Sequence, residues 1–342
     1  MALEETDERM HKAFNHLSWQ LLEVTENAAI AAARAAGQGN KELADQAAVD
    51  AMRTTLNNIK GFSTNIKIGE GERDDAPMLF IGEKLGHGEI SIDIAVDPLE
   101  NTNATADLKP GAVCVLAAST SGGLIQASDT YMDKLCVGKE AAPVIDIRLS
   151  PEENIYRIAN ALKRKDISQL TVTVLDRPRN EELIRRVRST GARVNLITDG
   201  DLMPCIFTCF KGAGVHVVMG IGAAPEGVIS SAAIKLLGGG MQAVFKPKNE
   251  ADRERLIKMG IHLDEVYTPE SLAPGTQIIF SATAVTPILT TTKAVLEGVS
   301  FFPGGAKTHS LVVSNNYMNF VPTTHVLDKK VFSENGSEFR LW

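Results

Sequence analysis

The run Leu170-Thr171-Val172-Thr173-Val174-Leu175 alternates apolar and β-branched residues, and the pattern that follows it decides the fold class. Glu181 to Ser189 has helical spacing, Ala192 to Ile197 reads as a strand, and about 200–210 as a helix. Val215-His216-Val217-Val218-Met219 is a third strand and Pro225 to Leu237 a third helix. Strands alternating with helices predict an α/β domain with a mainly parallel sheet. The alternation begins after a switch near 150–168, where Pro151 and the cluster Lys163-Arg164-Lys165-Asp166 lie. The expected division is an α+β N-terminal domain over 1–160 and an α/β C-terminal domain over 161–342.

Upstream of the switch the pattern differs. Residues 9–36 read as one long amphipathic helix closed by Gly37. A second helix, about 41–58, carries Val49, Met52 and Leu56 on one face. Asp45 lies one turn before Val49 and shares that face, where an acid must be paired or metal-bound, or else is costly. The strand-like run Asn65-Ile66-Lys67-Ile68 ends in Gly69-Glu70-Gly71-Glu72, and Ile90 to Val96 ends in Asp97-Pro98. Residues 112–118 and 123–126 read as a hairpin closed by Ser121-Gly122-Gly123. After 245 the pattern loosens: 277–281 and 309–314 are expected strands, and 326–342 a peripheral tail.

Composition narrows the function. The chain has 342 residues, 44% hydrophobic and 23% charged, with a formal net charge of −7. That balance argues against a nucleic-acid partner, which needs a basic face. It permits a phosphorylated small substrate, because metal ions can supply positive charge locally. The four cysteines, Cys114, Cys136, Cys205 and Cys209, include no CxxC pair and read as reduced core thiols. The first fourteen residues lack an apolar run, and the apolar stretch 213–224 is broken by glycine, so no membrane span is expected. The reading is a cytoplasmic protein, or one of an organelle stroma if a targeting peptide has been removed.

The chemistry concentrates where β-runs end in acids. Glu70 and Glu72 follow the first run; Asp97 and Glu100 follow the second, with Thr102 two residues on. Carboxylates gathered in one crevice raise each other's pKa, and hard divalent cations relieve this. Mg²⁺ or Mn²⁺ is therefore expected, rather than zinc. Asn101 and Thr102 can open a turn whose N–H groups hold phosphate oxygens. Acids for metal beside such a backbone suit phosphate-ester hydrolysis by activated water. Arg177 and Arg179 in Asp176-Arg177-Pro178-Arg179 could clamp a phosphate, and Asp199 and Asp201 could accept bonds from sugar hydroxyls. Each of these pairs reads equally as an ordinary loop cap. Glu226, in Gly220-Ile221-Gly222-Ala223-Ala224-Pro225-Glu226-Gly227, opens a helix and reads alone as a dipole partner.

Several strings then occur in one order: Val24-Thr25-Glu26, Ala44-Asp45-Gln46-Ala47-Ala48-Val49, Ile68-Gly69-Glu70-Gly71-Glu72, Asp93-Ile94-Ala95-Val96-Asp97-Pro98, Tyr131-Met132-Asp133-Lys134-Leu135, Asp199-Gly200-Asp201 and Gly222-Ala223-Ala224-Pro225-Glu226-Gly227. Over about 20–325 the sequence resembles the class II fructose-1,6-bisphosphatases, most of all the dual fructose-1,6-/sedoheptulose-1,7-bisphosphatases of cyanobacteria. The resemblance implies the layered αβαβα sandwich of the lithium-sensitive sugar phosphatases. It implies release of the 1-phosphate of fructose 1,6-bisphosphate, in gluconeogenesis or the Calvin cycle. Implied metal ligands are Asp45, Glu70, Asp97, Glu100 and Glu226, with Thr102, Glu70 and Asp97 as the catalytic set. Thr102 would orient or activate the attacking water. Implied substrate contacts are Lys41, Glu100, Asn101, Thr102, Tyr131, Arg177, Arg179, Asp199, Asp201 and Glu226. A regulatory nucleotide and a homodimer or homotetramer are further implications of the resemblance, without residues attached to them.

The sequence departs from the family at its centre. The family's D-P-x-E-G-T is Asp97-Pro98-Leu99-Glu100-Asn101-Thr102 here, Lys109-Pro110-Gly111 replaces a small polar run, and Ser128 stands where proline is usual. Asparagine tolerates positive φ better than other non-glycine residues. Two alternatives stay open at this point: a weak or inactive sugar-phosphate-binding regulator, and a phosphatase for another small phosphate ester.

Overall fold

The computed structural model describes residues 2–70 and 78–334. Among the described residues two large sheets alternate with helical layers, as the layered α/β class requires, and Ile288–Leu289 pairs with Ala294–Leu296 in a separate two-stranded ribbon. The first sheet has eight strands in the order Ser300–Phe302, Gly305–Ser314, Ile278–Ala284, Val113–Thr120, Ile90–Glu100, Phe62–Ile68 and Lys84–Leu85, with Met318–Val326 also pairing with Gly305–Ser314. Among the described residues only Phe62–Ile68 and Ile90–Glu100 run parallel in it. The second sheet has five strands, ordered Arg193–Ile197, Thr171–Leu175, Val217–Ala223, Tyr131–Val137, Gly240–Lys246.

Alternation along the strands assigns each face to a layer. In Val113–Thr120, Cys114, Leu116 and Ala118 pack under the first two helices, and Val113, Val115 and Ala117 face the middle of the molecule. The Ala2–Ala33 helix buries Leu17, Leu21, Val24 and Ala28, one helical face, against that sheet. Asn40 caps the Lys41–Asn57 helix by accepting from Leu43 N at 3.0 Å, so Asp45 sits one turn into a well-anchored helix. The Ala224–Leu237 helix lies between the two sheets; with so little polar surface to present to water, its Val228, Ile229, Ala232, Ala233 and Ile234 are all buried. The helices Pro151–Ala161 and Glu181–Ser189 cover the far face of the second sheet through Ile155, Ile158, Ile184 and Val187.

Several expectations are corrected. Residues 123–126 form no strand: Ile125 N donates to Leu272 O, and the edges of Val113–Thr120 are already taken by Ile90–Glu100 and Ile278–Ala284. The second sheet is mixed, because Tyr131–Val137 inserts antiparallel to both of its neighbours. The sheets do not divide at 160. Tyr131–Val137 already belongs to the second sheet, and strands from 278 to 326 complete the first. The long Met318–Val326 strand was not expected, and it is mostly exposed. The expected 309–314 strand is the end of a longer one, and the tail begins with a short helix, Lys329–Glu334. Glu72 lies outside the described residues, as does the tail beyond 334.

Candidate active site

The Ile90–Glu100 strand runs on through Pro98 rather than stopping before it, so Asp97 and Glu100 are strand residues. Asp97 stands opposite Val115 and Glu100 opposite Val113; two residues, Pro98 and Leu99, therefore face one across the ladder. This bulge re-aims the strand end. Proline, which has no N–H to give a ladder, is tolerated there. The chain then turns at Asn101, with φ 66° and ψ 57°, into the short Thr102–Ala106 helix. Asn101 accepts from Ala104 N at 3.2 Å and thereby caps that helix. Its Nδ2 points to Gly111 O at 3.5 Å, and its side chain lies against Gly200. The amide is thus folded back into the turn and its neighbouring loops. Thr102 opens the helix, half-buried, and Lys109-Pro110-Gly111 is held by Gly111 N donating to Pro287 O.

Glu100, Asp201 and Glu226 bring carboxylate oxygens within 4.8 Å of one another. They come from three places: the first sheet, the start of the Leu202–Phe207 helix, and the first turn of Ala224–Leu237. Glu100 also accepts from Leu202 N at 3.2 Å. Lys134 reaches into this group from the Tyr131–Val137 strand of the second sheet. It is the bulkiest of the fully buried side chains, with Nζ 2.7 Å from both Asp201 oxygens, 3.9 Å from Glu226 Oε2 and 3.2 Å from Ala223 O. Gly222 makes room for the pair, since a Cβ there would collide with Asp201 Oδ2 and Lys134 Nζ. The run Gly220 to Ala223 belongs to the Val217–Ala223 strand.

The acids differ sharply in charge state. Burial, then Glu70, Glu100 and Asp45, push the Asp97 carboxyl well above the carboxylate range. Burial and then Asp201 raise Glu100 to about 8. Glu226 is driven up by burial, Asp201 and Glu100, and as the protonated partner it hydrogen-bonds Asp201. Burial also opposes ionisation of Asp201, but the Lys134 ammonium, a hydrogen bond with Glu226 and the charge of Arg179 together outweigh it, and the Asp201 pKa falls. Asp45 and Glu70 belong to the same field through Asp97. Glu70 lines a cavity of about 170 Å³ with Asp97, Asp129 and Glu226.

Beside the acids lies a cationic platform. The Arg179 guanidinium stacks 4.5 Å from the Tyr131 ring centroid, and Lys248 Nζ lies 4.8 Å from the same centroid. Arg179 Nε donates to Ile221 O at 2.9 Å, and Lys248 donates to Asp129 O at 2.9 Å. Arg177 stands 3.6 Å from Asp199 in a half-exposed ion pair. Lys41 is exposed at the start of its helix, its Nζ 3.9 Å from Glu42.

The structure thus gathers Glu70, Asp97, Glu100, Asp201 and Glu226, places Asp45 in their field, and sets Tyr131, Arg177, Arg179 and Asp199 alongside. Sequence reasoning missed Lys134 and Lys248. Lys134 had a signal, a lysine in an apolar strand pattern; Lys248 had none beyond following a strand.

The model of the family described as bacterial fructose-1,6-bisphosphatase, glpX-encoded, matches residues 15–325. The chain is 44% identical over 348 residues to a D-fructose 1,6-bisphosphatase class 2/sedoheptulose 1,7-bisphosphatase of Thermosynechococcus vestitus, covering 93% of this chain and 98% of the relative. It is likewise 44% identical to the protein of that description from Synechocystis sp., over 91% of this chain and 96% of the relative.

Proposed function

Because the chain belongs to the glpX-encoded family of bacterial fructose-1,6-bisphosphatases, we propose that it hydrolyses the 1-phosphate of fructose 1,6-bisphosphate, giving fructose 6-phosphate and phosphate, and that it also accepts sedoheptulose 1,7-bisphosphate. The observation that carries this reading is the buried acid group of Glu100, Asp201 and Glu226, continuous with Asp97 and Glu70 and flanked by the Tyr131–Arg179–Lys248 platform. An acidic centre takes metal and the reacting phosphate; a cationic one takes the distal phosphate.

The donor set fits a hard divalent cation. It is all oxygen, and three of its carboxyls are held toward the protonated form by desolvation and then by mutual repulsion. Asp45, Glu70, Asp97, Glu100 and Glu226 would hold Mg²⁺ or Mn²⁺. A bound ion would supply Lewis acidity toward the phosphoryl oxygens and make water more acidic. The Thr102 hydroxyl, at the start of its helix, orients the attacking water. The backbone at Asn101 and Thr102 offers N–H groups to the same phosphate, and Lys41 approaches it from the neighbouring helix. Asp201, kept anionic by Lys134, accepts from a sugar hydroxyl, with Asp199 beside it. Arg177, Arg179 and Lys248 grip the distal phosphate over the Tyr131 ring.

Phosphate release from both bisphosphates, measured with Mg²⁺, with Mn²⁺ and with chelator, tests the proposal. Release is expected with metal only. Folded protein that releases nothing with either metal would refute it, and a faster rate on an inositol or nucleotide phosphate would reassign the substrate.

A further inference from the structure

Lys134 is a cation built into a group of acids that are themselves spaced to bind metal. Carboxylate oxygens of Glu100, Asp201 and Glu226 lie within 4.8 Å of one another. Oxygens that close can share one hard cation, which bonds oxygen at about 2.0–2.6 Å. An ammonium stands among them instead. Lys134 Nζ is 2.7 Å from each Asp201 oxygen and 3.2 Å from Ala223 O, and Glu226 Oε2 lies 3.9 Å away. An ammonium has three N–H donors, and the two Asp201 oxygens and Ala223 O match them. The cation is thereby fixed against Asp201.

The surrounding chain leaves room for it. The Lys134 side chain is fully buried. Gly222 clears space at its head, where a Cβ would stand 2.8 Å from Nζ. Gly227 clears space along its stem, where a Cβ would stand 3.4 Å from Cδ and 2.5 Å from Met132 Sδ. Neither glycine has a positive φ, so each serves close approach and not a turn. A buried ion pair with no further use is readily replaced by apolar side chains of similar volume. This pair stands where two kinds of recognition meet. Glu226 lines a cavity with Glu70 and Asp97, while Asp201 follows Asp199 in the loop that carries the Arg177 ion pair. A divalent ion drawn in among Glu100, Asp201 and Glu226 would face the ammonium at contact distance, and like charges repel most strongly where water is excluded. It would also take Asp201 as a ligand and remove it as an acceptor.

Resting on the metal-dependent reading proposed above, we infer that Lys134 is a positioning residue that fills a cation site between Asp201 and Glu226. Divalent ions are thereby confined to the Asp97 side of the acids, and Asp201 stays a hydrogen-bond acceptor for the substrate sugar.

Mn²⁺ binding to the full chain without substrate, counted from the loss of the free-ion EPR signal, tests this. Lys134→Met should bind about one Mn²⁺ per chain more than the parent, and adding Asp201→Asn should remove that extra ion. A lysine that is merely structural would leave the count unchanged, so equal counts in Lys134→Met and the parent overturn the inference. If Lys134→Met does not fold, the neutral double variant decides. Its count should equal the parent's; one ion fewer would make Asp201 a ligand of the parent's metal and overturn the inference. A parent that binds no Mn²⁺ refutes the metal reading of the whole site, whereas a parent that binds Mn²⁺ with no gain in Lys134→Met overturns only the role of Lys134.

Discussion

Asp97, half-buried, and Asp201, buried, are aspartates of one site, yet their charge states move in opposite directions. Asp97 is ringed by Glu70, Glu100 and Asp45, and its pKa rises well above the usual range. Asp201 has Lys134 on both oxygens, and its pKa falls. Burial penalises both anions, so the neighbour's sign decides. The protein carries a permanent counter-charge on the Asp201 side and relies on an exchangeable one, a divalent cation, on the Asp97 side.

The largest effect should come from removing the permanent counter-charge. Lys134→Met strands Asp201 among Glu100 and Glu226 and should cost about 3–5 kcal/mol of stability. Chemical denaturation measures it, and Lys134→Met with Asp201→Asn should recover most of the loss. If the single variant is as stable as the parent, the contrast fails. Removing the other acid acts in reverse. Asp97→Asn should lower metal-dependent turnover by about 10²–10³-fold, while the chelated protein melts at least as high as the parent.

A pH effect follows, with a definite sign. Glu100, raised to about 8 when folded, binds a proton in the native state that the unfolded chain releases near the ordinary 4.5. Stability of the chelated protein should therefore rise as pH falls from about 8 toward 4.5, and Mg²⁺ or Mn²⁺ should flatten the dependence. Thermal melts with and without metal, for the parent and Glu100→Gln, check this; a steeper slope in Glu100→Gln would contradict it. On the cationic platform, Lys248→Gln should raise KM about tenfold with little change in kcat, as expected for one charge-assisted contact to a non-reacting phosphate. The smallest effect is expected from Asn101→Gly. A cap is lost and a positive φ relieved, so stability should change by only a few tenths of a kcal/mol. A large gain in turnover instead would show that Asn101 holds the protein in a binding-only state.

The sequence made the acids legible because they sit at strand ends, where regular patterns stop. Glu70, Asp97 and Glu100 stand out for that reason. The second-half elements were legible too, since Glu181–Ser189 and Thr171–Leu175 carry clean periodicity. What could not be read was pairing between distant segments. Nothing near Tyr131 says that its strand leaves the first sheet for the second, and nothing near Lys134 says that Asp201 will meet it 67 positions later. The false hairpin at 123–126 has the same origin: an apolar run was given to a neighbour in sequence when its partner was Leu272.

The first sheet has a consequence for biogenesis. Its central strand Val113–Thr120 borders Ile278–Ala284, which in turn borders Gly305–Ser314. A ribosome must therefore deliver nearly the whole chain before that sheet can close. Until then a largely apolar strand edge waits open, the state in which chains aggregate or recruit chaperones. A nascent chain stalled before residue 278 should be digested by protease across 90–120, and one released after 326 should resist there.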